Sequence, residues 1–230
     1  MGRSGTWAVV PVKTFRLAKQ RLAGVLAANE REALARAMAE DVLSALAASP
    51  DLAGILLVTG DPEARRLAAY YGARVLLDEE DRGHTAASSL GACTLAQERA
   101  AGMVQVPADI PSVTREDVGA LLAVQGEAPS ITLAPAHDER GTNAVACFPA
   151  DVMPLRFGGA SFVGHLRRAR AHGIQPQIVR RQGLALDIDN ADDLAAFLAA
   201  PSATRTWAYL TESGIGRRIS HLKRAQSASP

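Results

Sequence analysis

At 230 residues and 48% hydrophobic composition, the chain is long enough for one substantial core, or one core and a tail. A formal net charge of +1 and 4% aromatic residues argue against nucleic acid, an anionic membrane or stacked single-stranded bases as partners. The apolar run in residues 1–12 is too short for a signal peptide, and no stretch is long and apolar enough to span a bilayer, so a cytoplasmic protein is expected.

Residues 7–12 read as a strand and lead into a basic loop over 13–21. Residues 29–48 are helical by period and propensity, with Asn29 as the expected N-cap and Glu32 three residues on. Residues 54–59 form a buried strand, Gly60-Asp61-Pro62 turns the chain, and 63–71 is a helix started by Pro62 and ended by Gly72. A strand over 74–77 precedes a helix over 85–101, which contains Cys93 and stops at Gly102. A strand over 103–106 follows, then a helix capped by Thr114. Residues 130–134 and 143–148 are strands around the loop 137–142, the second containing Cys147. A helix over 161–172, a short strand over 177–179, and a helix over 191–199 capped by Asn190 complete the pattern.

This alternation predicts an α/β fold with a mostly parallel sheet flanked by helices and a small antiparallel insertion near 130–148. Residues 1–200 are expected to form that domain. The pattern weakens over 201–230, where a C-terminal helix and a basic tail with Arg217, Arg218, Lys223 and Arg224 end in Gln-Ser-Ala-Ser-Pro, expected to be disordered. Cys93 and Cys147 have no metal-ligand spacing and read as small buried apolar residues.

Two apolar segments end in carboxylate: residues 103–108 before Asp109, and 184–186 before Asp187 and Asp189. Carboxyl ends of strands line the ligand crevice of an open α/β sheet, and hard oxygen ligands there suit Mg²⁺ and hence phosphates. Pro107 and Pro111 fix the chain around Asp109, while Asp187 and Asp189 share one side at strand period. Both groups also read as plain solvated charges. Lys13, Lys19 and Arg21, with Arg16 as a fourth candidate, follow the first strand, where cations could neutralise a departing pyrophosphate. There is neither a P-loop nor a GxGxxG. Arg82-Gly83-His84-Thr85 opens a helix that could take an anion, a base or a ribose, or Thr85 is a simple cap; His84 is a weaker candidate base. Arg140-Gly141-Thr142-Asn143 and Phe157-Gly158-Gly159-Ala160-Ser161 could hold an acceptor phosphate or carboxylate, or form a turn and an N-cap.

Taken in order, PVKTFRLAKQRL, GHTAA, VPADIP, RGTNAV, FGGASF and LALDIDNADDL resemble the CofC family of phospholactate guanylyltransferases, from Trp7 to about residue 199. The resemblance implies a GT-A-like nucleotidyltransferase fold and transfer of GMP from GTP to a small phosphorylated three-carbon acid, releasing pyrophosphate. It places that reaction in the making of the deazaflavin coenzyme F420. 2-Phospho-L-lactate, phosphoenolpyruvate and 3-phospho-D-glycerate are the acceptors across the family.

By the same resemblance Asp109, Asp187 and Asp189 bind Mg²⁺, and Asp109, Lys13, Lys19 and Arg21 carry the transfer. Lys13, Lys19 and Arg21 face the GTP phosphates, with Gly83, Thr85 and Pro107 completing the nucleotide site. Thr142, Gly158 and Ser161 hold the acceptor. Thr85 stands where the family usually has Asn, Arg140 where Gly is common, and Gly159-Ala160 where Pro-Gly is usual. A homodimer and handover to a downstream transferase are the further partners left open. The alternatives are another GT-A-like transferase with a sugar phosphate or molybdopterin acceptor, and a non-catalytic nucleotide-binding relative.

Overall fold

A computed structural model describes residues 5–227. Seven strands, β1 (Thr6–Pro11), β2 (Leu52–Thr59), β3 (Arg74–Leu77), β4 (Gly102–Gln105), β5 (Ser130–Pro135), β6 (Thr142–Phe148) and β7 (Gln177–Ile178), form one sheet in the order β3-β2-β1-β4-β6-β5-β7. All neighbours are parallel except the β4–β6 and β6–β5 pairs. The expected antiparallel insertion therefore reduces to one reversed strand, β6, built into the sheet between β4 and β5. A six-residue turn between β5 and β6 is too short for a crossover, so those two strands must pair as a hairpin.

Strand residues alternate between two helical layers, as the period of two demands. Ala8, Val10, Ile55, Leu57 and Val104 point into the core shared with α1 (Ala28–Ala47), α2 (Pro62–Tyr70), α4 (Arg115–Ala123) and α7 (Ala191–Leu198). Trp7, Val9, Leu56, Val58 and Met103 point the other way, toward α3 (His84–Gln97) and α5 (Ser161–Ala171). Buried apolar side chains on both faces are what a parallel sheet needs. Gly91 of α3 lets the helix lie against β1, since a Cβ there would stand 2.5 Å from Val9 Cγ1.

Several local expectations are corrected. α1 starts one residue before Asn29: its N-cap is Ala27, which has no capping side chain, and the single bond is from its N–H to Glu30 Oε2 at 2.8 Å, so the glutamate involved is Glu30 and not Glu32. The segment before Asp187 is no strand: Gln182–Ala185 forms a short helix, α6, Leu186 after it is extended, and residues 186–189 belong to no helix or strand. A three-residue apolar run, 184–186, fits either conformation, and tertiary contacts decide it. Beyond residue 200 the chain forms α8 (Arg205–Glu212) and α9 (Ile215–Ser227), with Leu210, Ile215 and Ile219 in the same core as α1. Asp41 of α1 holds α8, accepting from Arg205 N at 2.8 Å and from Thr206 N at 2.9 Å. The disorder expected for Gln-Ser-Ala-Ser-Pro is corrected at Gln226 and Ser227, which belong to α9, and its other three residues, 228–230, lie outside the described residues. Among the described residues no helix is long and apolar enough to cross a membrane.

Only one of the two cysteines is buried. Cys147 lies between the β4 and β5 backbones, and burial pushes its thiol up to about 12, while Cys93 is exposed on α3. A thiol reagent is therefore expected to titrate one cysteine in the folded protein and two after denaturation. Two reactive thiols in the native state would contradict the buried position of Cys147.

Asp61 anchors the loop after β1. Its carboxylate caps α2 by accepting from Glu63 N at 2.7 Å and Ala64 N at 3.2 Å, and its second oxygen accepts from Phe15 N at 2.8 Å. Asp61→Ala is expected to cost about 2–3 kcal/mol, the loss of a cap plus one buried bond. A urea midpoint unchanged from the parent would show that these bonds contribute nothing.

Candidate functional site

β1 and β4 run side by side and both leave the sheet at the same edge. The ladders extend just past them, through Val12 N to Val58 O at 2.9 Å and Val106 N to Val9 O at 3.0 Å. Beyond that edge opens a cleft of about 870 Å³. Twelve of the candidates for catalysis, nucleotide, acceptor or metal line it: Lys13, Lys19, Arg21, Gly83, Thr85, Pro107, Asp109, Thr142, Gly158, Ser161, Asp187 and Asp189. Arg16 and Arg140 are exposed and do not line it.

The floor of the cleft is ionic. Lys19 Nζ lies 2.6 Å from Asp109 Oδ2 and 2.9 Å from Asp189 Oδ1, and the Lys19 side chain is only 8% exposed. Arg21 Nη1 reaches Asp189 Oδ2 at 3.4 Å from a mostly exposed position. Lys19 adopts φ +53, a left-handed conformation that costs a non-glycine residue of order 1 kcal/mol. The ion pairs that this backbone geometry permits offset that cost. Phe15 on Asp61, and Thr14 N on Asp81 Oδ2 at 3.4 Å, hold the loop from behind.

Asp187 and Asp189 arrive from far along the chain because Ile188 is fully buried and its N–H donates to Asp109 O at 3.0 Å. No neighbouring strand satisfies the preceding carbonyls. Asn143 does so instead, its Nδ2 donating to Leu184 O at 2.9 Å, Ala185 O at 3.2 Å and Asp187 Oδ1 at 3.3 Å. Asn143, read in the sequence only as part of a segment that could hold the acceptor or form a turn, here positions the chain that carries Asp187. Its amide matters because a helical turn followed by extended chain leaves carbonyls that must be paired.

The charges respond to one another. Burial works against the Lys19 ammonium, but Asp109 and Asp189 outweigh it and hold its pKa above the ordinary lysine value. Burial would raise Asp109, yet Lys19 keeps it below the usual carboxylate range. Asp187, without such a partner, is raised by burial and by the neighbouring charges of Asp109 and Asp189. Among the described residues no three His, Cys, Asp or Glu side chains already form a ready metal site. An ammonium occupies the meeting point of two of the carboxylates.

One wall is the start of α3. Gly83, at φ +92, is its N-cap and provides no side-chain bond, so the first-turn N–H groups are left to the cleft. Thr85 is not the cap. Its Oγ1 accepts from Phe157 N at 3.0 Å and ties α3 to the opposite wall. His84 lies with Nε2 3.0 Å from Gln105 Nε2 and against the Phe157 ring. Burial, with Lys13 and Lys19 adding to it against the opposing Asp109, pushes His84 down to about 4. It is therefore neutral near pH 7.

The opposite wall carries Thr142, Ser161 and the turn before α5. Gly158 and Gly159 take φ +98 and +54 with open space where a Cβ would stand, so conformation and not crowding requires glycine there. Ser161 is not the N-cap of α5. It lies inside the helix and its Oγ accepts from Thr142 N at 3.0 Å. Behind them His165 Nδ1 lies 3.0 Å from Thr142 Oγ1. Sequence reading missed His165, although its spacing four residues after Ser161 places both on one helix face.

The model for "Guanylyl transferase CofC like" proteins matches residues 6–228. A phosphoenolpyruvate guanylyltransferase from Sphaerobacter thermophilus is 39% identical over 189 residues, covering 82% of this chain and 90% of that one. A 2-phospho-L-lactate guanylyltransferase from Methanothermobacter thermautotrophicus is 33% identical over 207 residues, 89% of each chain. In fold, the chain superposes with a TM-score of 0.75 on a protein from Desulfovibrio desulfuricans G20 named as a nucleotide-diphospho-sugar transferase, at 19% identity, covering 93% of this chain and 97% of that one. A match that begins at β1, runs through α9 and takes in every strand framing the cleft settles the family: this chain is a member of the CofC-like guanylyl transferases.

Proposed function

We propose that the protein transfers GMP from GTP to a small phosphorylated three-carbon acid, releasing pyrophosphate. The observation that carries this reading is the two-sided cleft, with a cationic loop and an open helix N-terminus on one side, and a hydroxyl-bearing wall facing them across the carboxylates. Family membership supplies the guanylyl donor, and the names of the relatives supply the acceptor class.

An oxygen of the acceptor phosphate attacks the α-phosphorus of GTP, forming a new P–O–P bond. The bond to the β-phosphate oxygen breaks, and its electron pair leaves with pyrophosphate. A phosphate monoester has a second pKa of about 6 and is already mostly dianionic near neutral pH. It needs no strong general base, and His84, held neutral against Gln105, is not one. Lys13 and Arg21, both exposed at the mouth, would neutralise the departing charge. The α3 N-terminus at Gly83 and Thr85, with Pro107 nearby, would contact the nucleoside. Thr142, Gly158 and Ser161 would hold the acceptor acid.

Asp109, Asp187 and Asp189 would hold Mg²⁺. They offer only hard carboxylate oxygens, and the position between Asp109 and Asp189 already accepts a positive charge, that of Lys19. When bound, the ion would polarise the α-phosphate and neutralise charge on it. Service in coenzyme F420 biosynthesis, a homodimer and direct handover of the product belong to the same proposal, as does a cytoplasmic location.

Incubation with GTP and Mg²⁺ and each of phosphoenolpyruvate, 2-phospho-L-lactate and 3-phospho-D-glycerate is expected to release pyrophosphate with at least one. The product mass should equal acceptor plus GMP less water, with little turnover when CTP replaces GTP. Asp187→Ala should lower kcat/KM at least 100-fold, on the order of the loss of one electrostatic element of an active site. Near-normal turnover would remove Asp187 from the mechanism.

A stability measurement reads the same site without turnover. The folded pKa of Asp187 lies above its unfolded value, so this group favours the fold at low pH and that contribution is lost as pH rises through the folded value. Near neutral pH the charged carboxylate weighs against the fold. In chelator, Asp187→Asn should therefore melt higher than the parent, and added Mg²⁺ should raise the parent's Tm more than the variant's. A lower Tm for the variant in chelator would show that crowding of like charge is not what shapes this site.

A further inference from the structure

His165 has no exposed surface and does not line the cleft, yet both its ring nitrogens are engaged. Nε2 accepts from the backbone N–H of Arg156 at 3.1 Å, and Nδ1 lies 3.0 Å from Thr142 Oγ1. A backbone N–H can only donate, so Nε2 carries the lone pair and the neutral ring keeps its proton on Nδ1. Nδ1–H then donates to Thr142. The ring is held edge-on to Phe157, with centroids 5.1 Å apart, so it does not turn freely between these partners. Burial, reinforced by Arg168, pushes His165 down to about 4, which keeps it neutral in the working range.

The consequence follows from counting protons. Thr142 and Ser161 have two hydroxyl hydrogens between them and one mutual contact, Ser161 Oγ to Thr142 Oγ1 at 3.4 Å. Ser161 Oγ also accepts from Thr142 N. With His165 donating, only one of the two hydroxyl hydrogens is used between the pair, whichever oxygen gives it. The other is left over, and the cleft is where both side chains border open space. With the opposite tautomer, Thr142 would donate to Nδ1 and Ser161 to Thr142, and the pair would present only lone pairs to the cleft. An anion would then meet repulsion in place of a donor.

We propose that His165 is a positioning residue for the acceptor pocket: through its Nδ1–H it sets the hydroxyl order of Thr142 and Ser161, so that one O–H is directed to an anionic oxygen of the phospho-acid. This rests on the reading that these two hydroxyls hold the acceptor. His165 touches no reacting atom, and its effect is confined to one substrate.

The test combines kinetics with a measurement that needs no turnover. His165→Leu removes the donor and is expected to raise KM for the phospho-acid roughly tenfold to hundredfold, the loss of one hydrogen bond to a charged group. KM for GTP should stay within about twofold. His165→Gln can accept from Arg156 N–H through its oxygen and donate to Thr142 through its nitrogen, and should recover most of the loss. In a Thr142→Val background, His165→Leu should add less than about threefold, since the shared hydroxyl is already gone. Nitrogen NMR of the ligand-free protein labelled at histidine should show the Nδ1–H tautomer for the signal that His165→Gln removes. Should His165→Leu fail to fold, the tautomer and the KM of His165→Gln decide the matter. An Nε2–H tautomer, or equal rises in KM for both substrates, overturns the inference. A parent protein that shows the Nδ1–H tautomer but turns over no phospho-acid overturns the functional reading instead, and the assignment to the acceptor with it.

Discussion

One buried ammonium ties the working edge of this molecule together. Lys19 comes from the loop after β1, Asp109 from the exit of β4, and Asp189 from a segment 80 residues further on, and a single nitrogen touches both carboxylates. Burying a lone lysine would be costly, and the two partly exposed carboxylates that meet it offset that cost. The three segments are thereby coupled at one point. The supporting contacts are arranged for this. Asp61 and Asp81 fix the first loop, Pro107 and Pro111 flank the second carboxylate, and Ile188 and Asn143 fix the third segment.

The same arrangement leaves the site deliberately unbalanced. Asp109 and Asp189 share a cation, while Asp187 has only an amide and two like-charged neighbours. A carboxylate kept under electrostatic pressure in this way gains more from an added positive charge than one already paired. On the proposed reading, residue 187 weighs against the fold in return for binding the metal, a trade common where a fold holds a reactive constellation.

Much of the framework was legible in the sequence. The alternation of strand and helix, the caps at Thr114 and Asn190, and the convergence of distant motifs on one edge all depend on local pattern or on the rule that strand ends frame the crevice. What was not legible depends on partners that local pattern does not name. Residues 184–186 are apolar enough for a strand, but Asn143 and the His137 N–H, which donates to Ala185 O at 2.7 Å, satisfy their carbonyls in another conformation. Thr85 looks like a cap and Ser161 like another, until the contact with Phe157 N and the contact with Thr142 N show where their oxygens are spent. Cys93 is exposed because it lies on the outer face of α3, a matter of helix phase that a helix composed so largely of small residues does not announce.

The reversed strand β6 has a further consequence. In a wholly parallel sheet only the last residues of each strand arrive at the ligand edge, and whatever follows must travel back across a helix before contributing again. Because β6 runs the other way, its first residues, Thr142 and Asn143, arrive there directly from the turn that leaves β5. Both limbs of that turn thus border the cleft, while the rungs that hold the hairpin lie behind it. A change of length between 136 and 141 would act first on the cleft wall, and it would have to keep the bonds from Ala136 N to Gly141 O and from His137 N to Ala185 O that fix this bend.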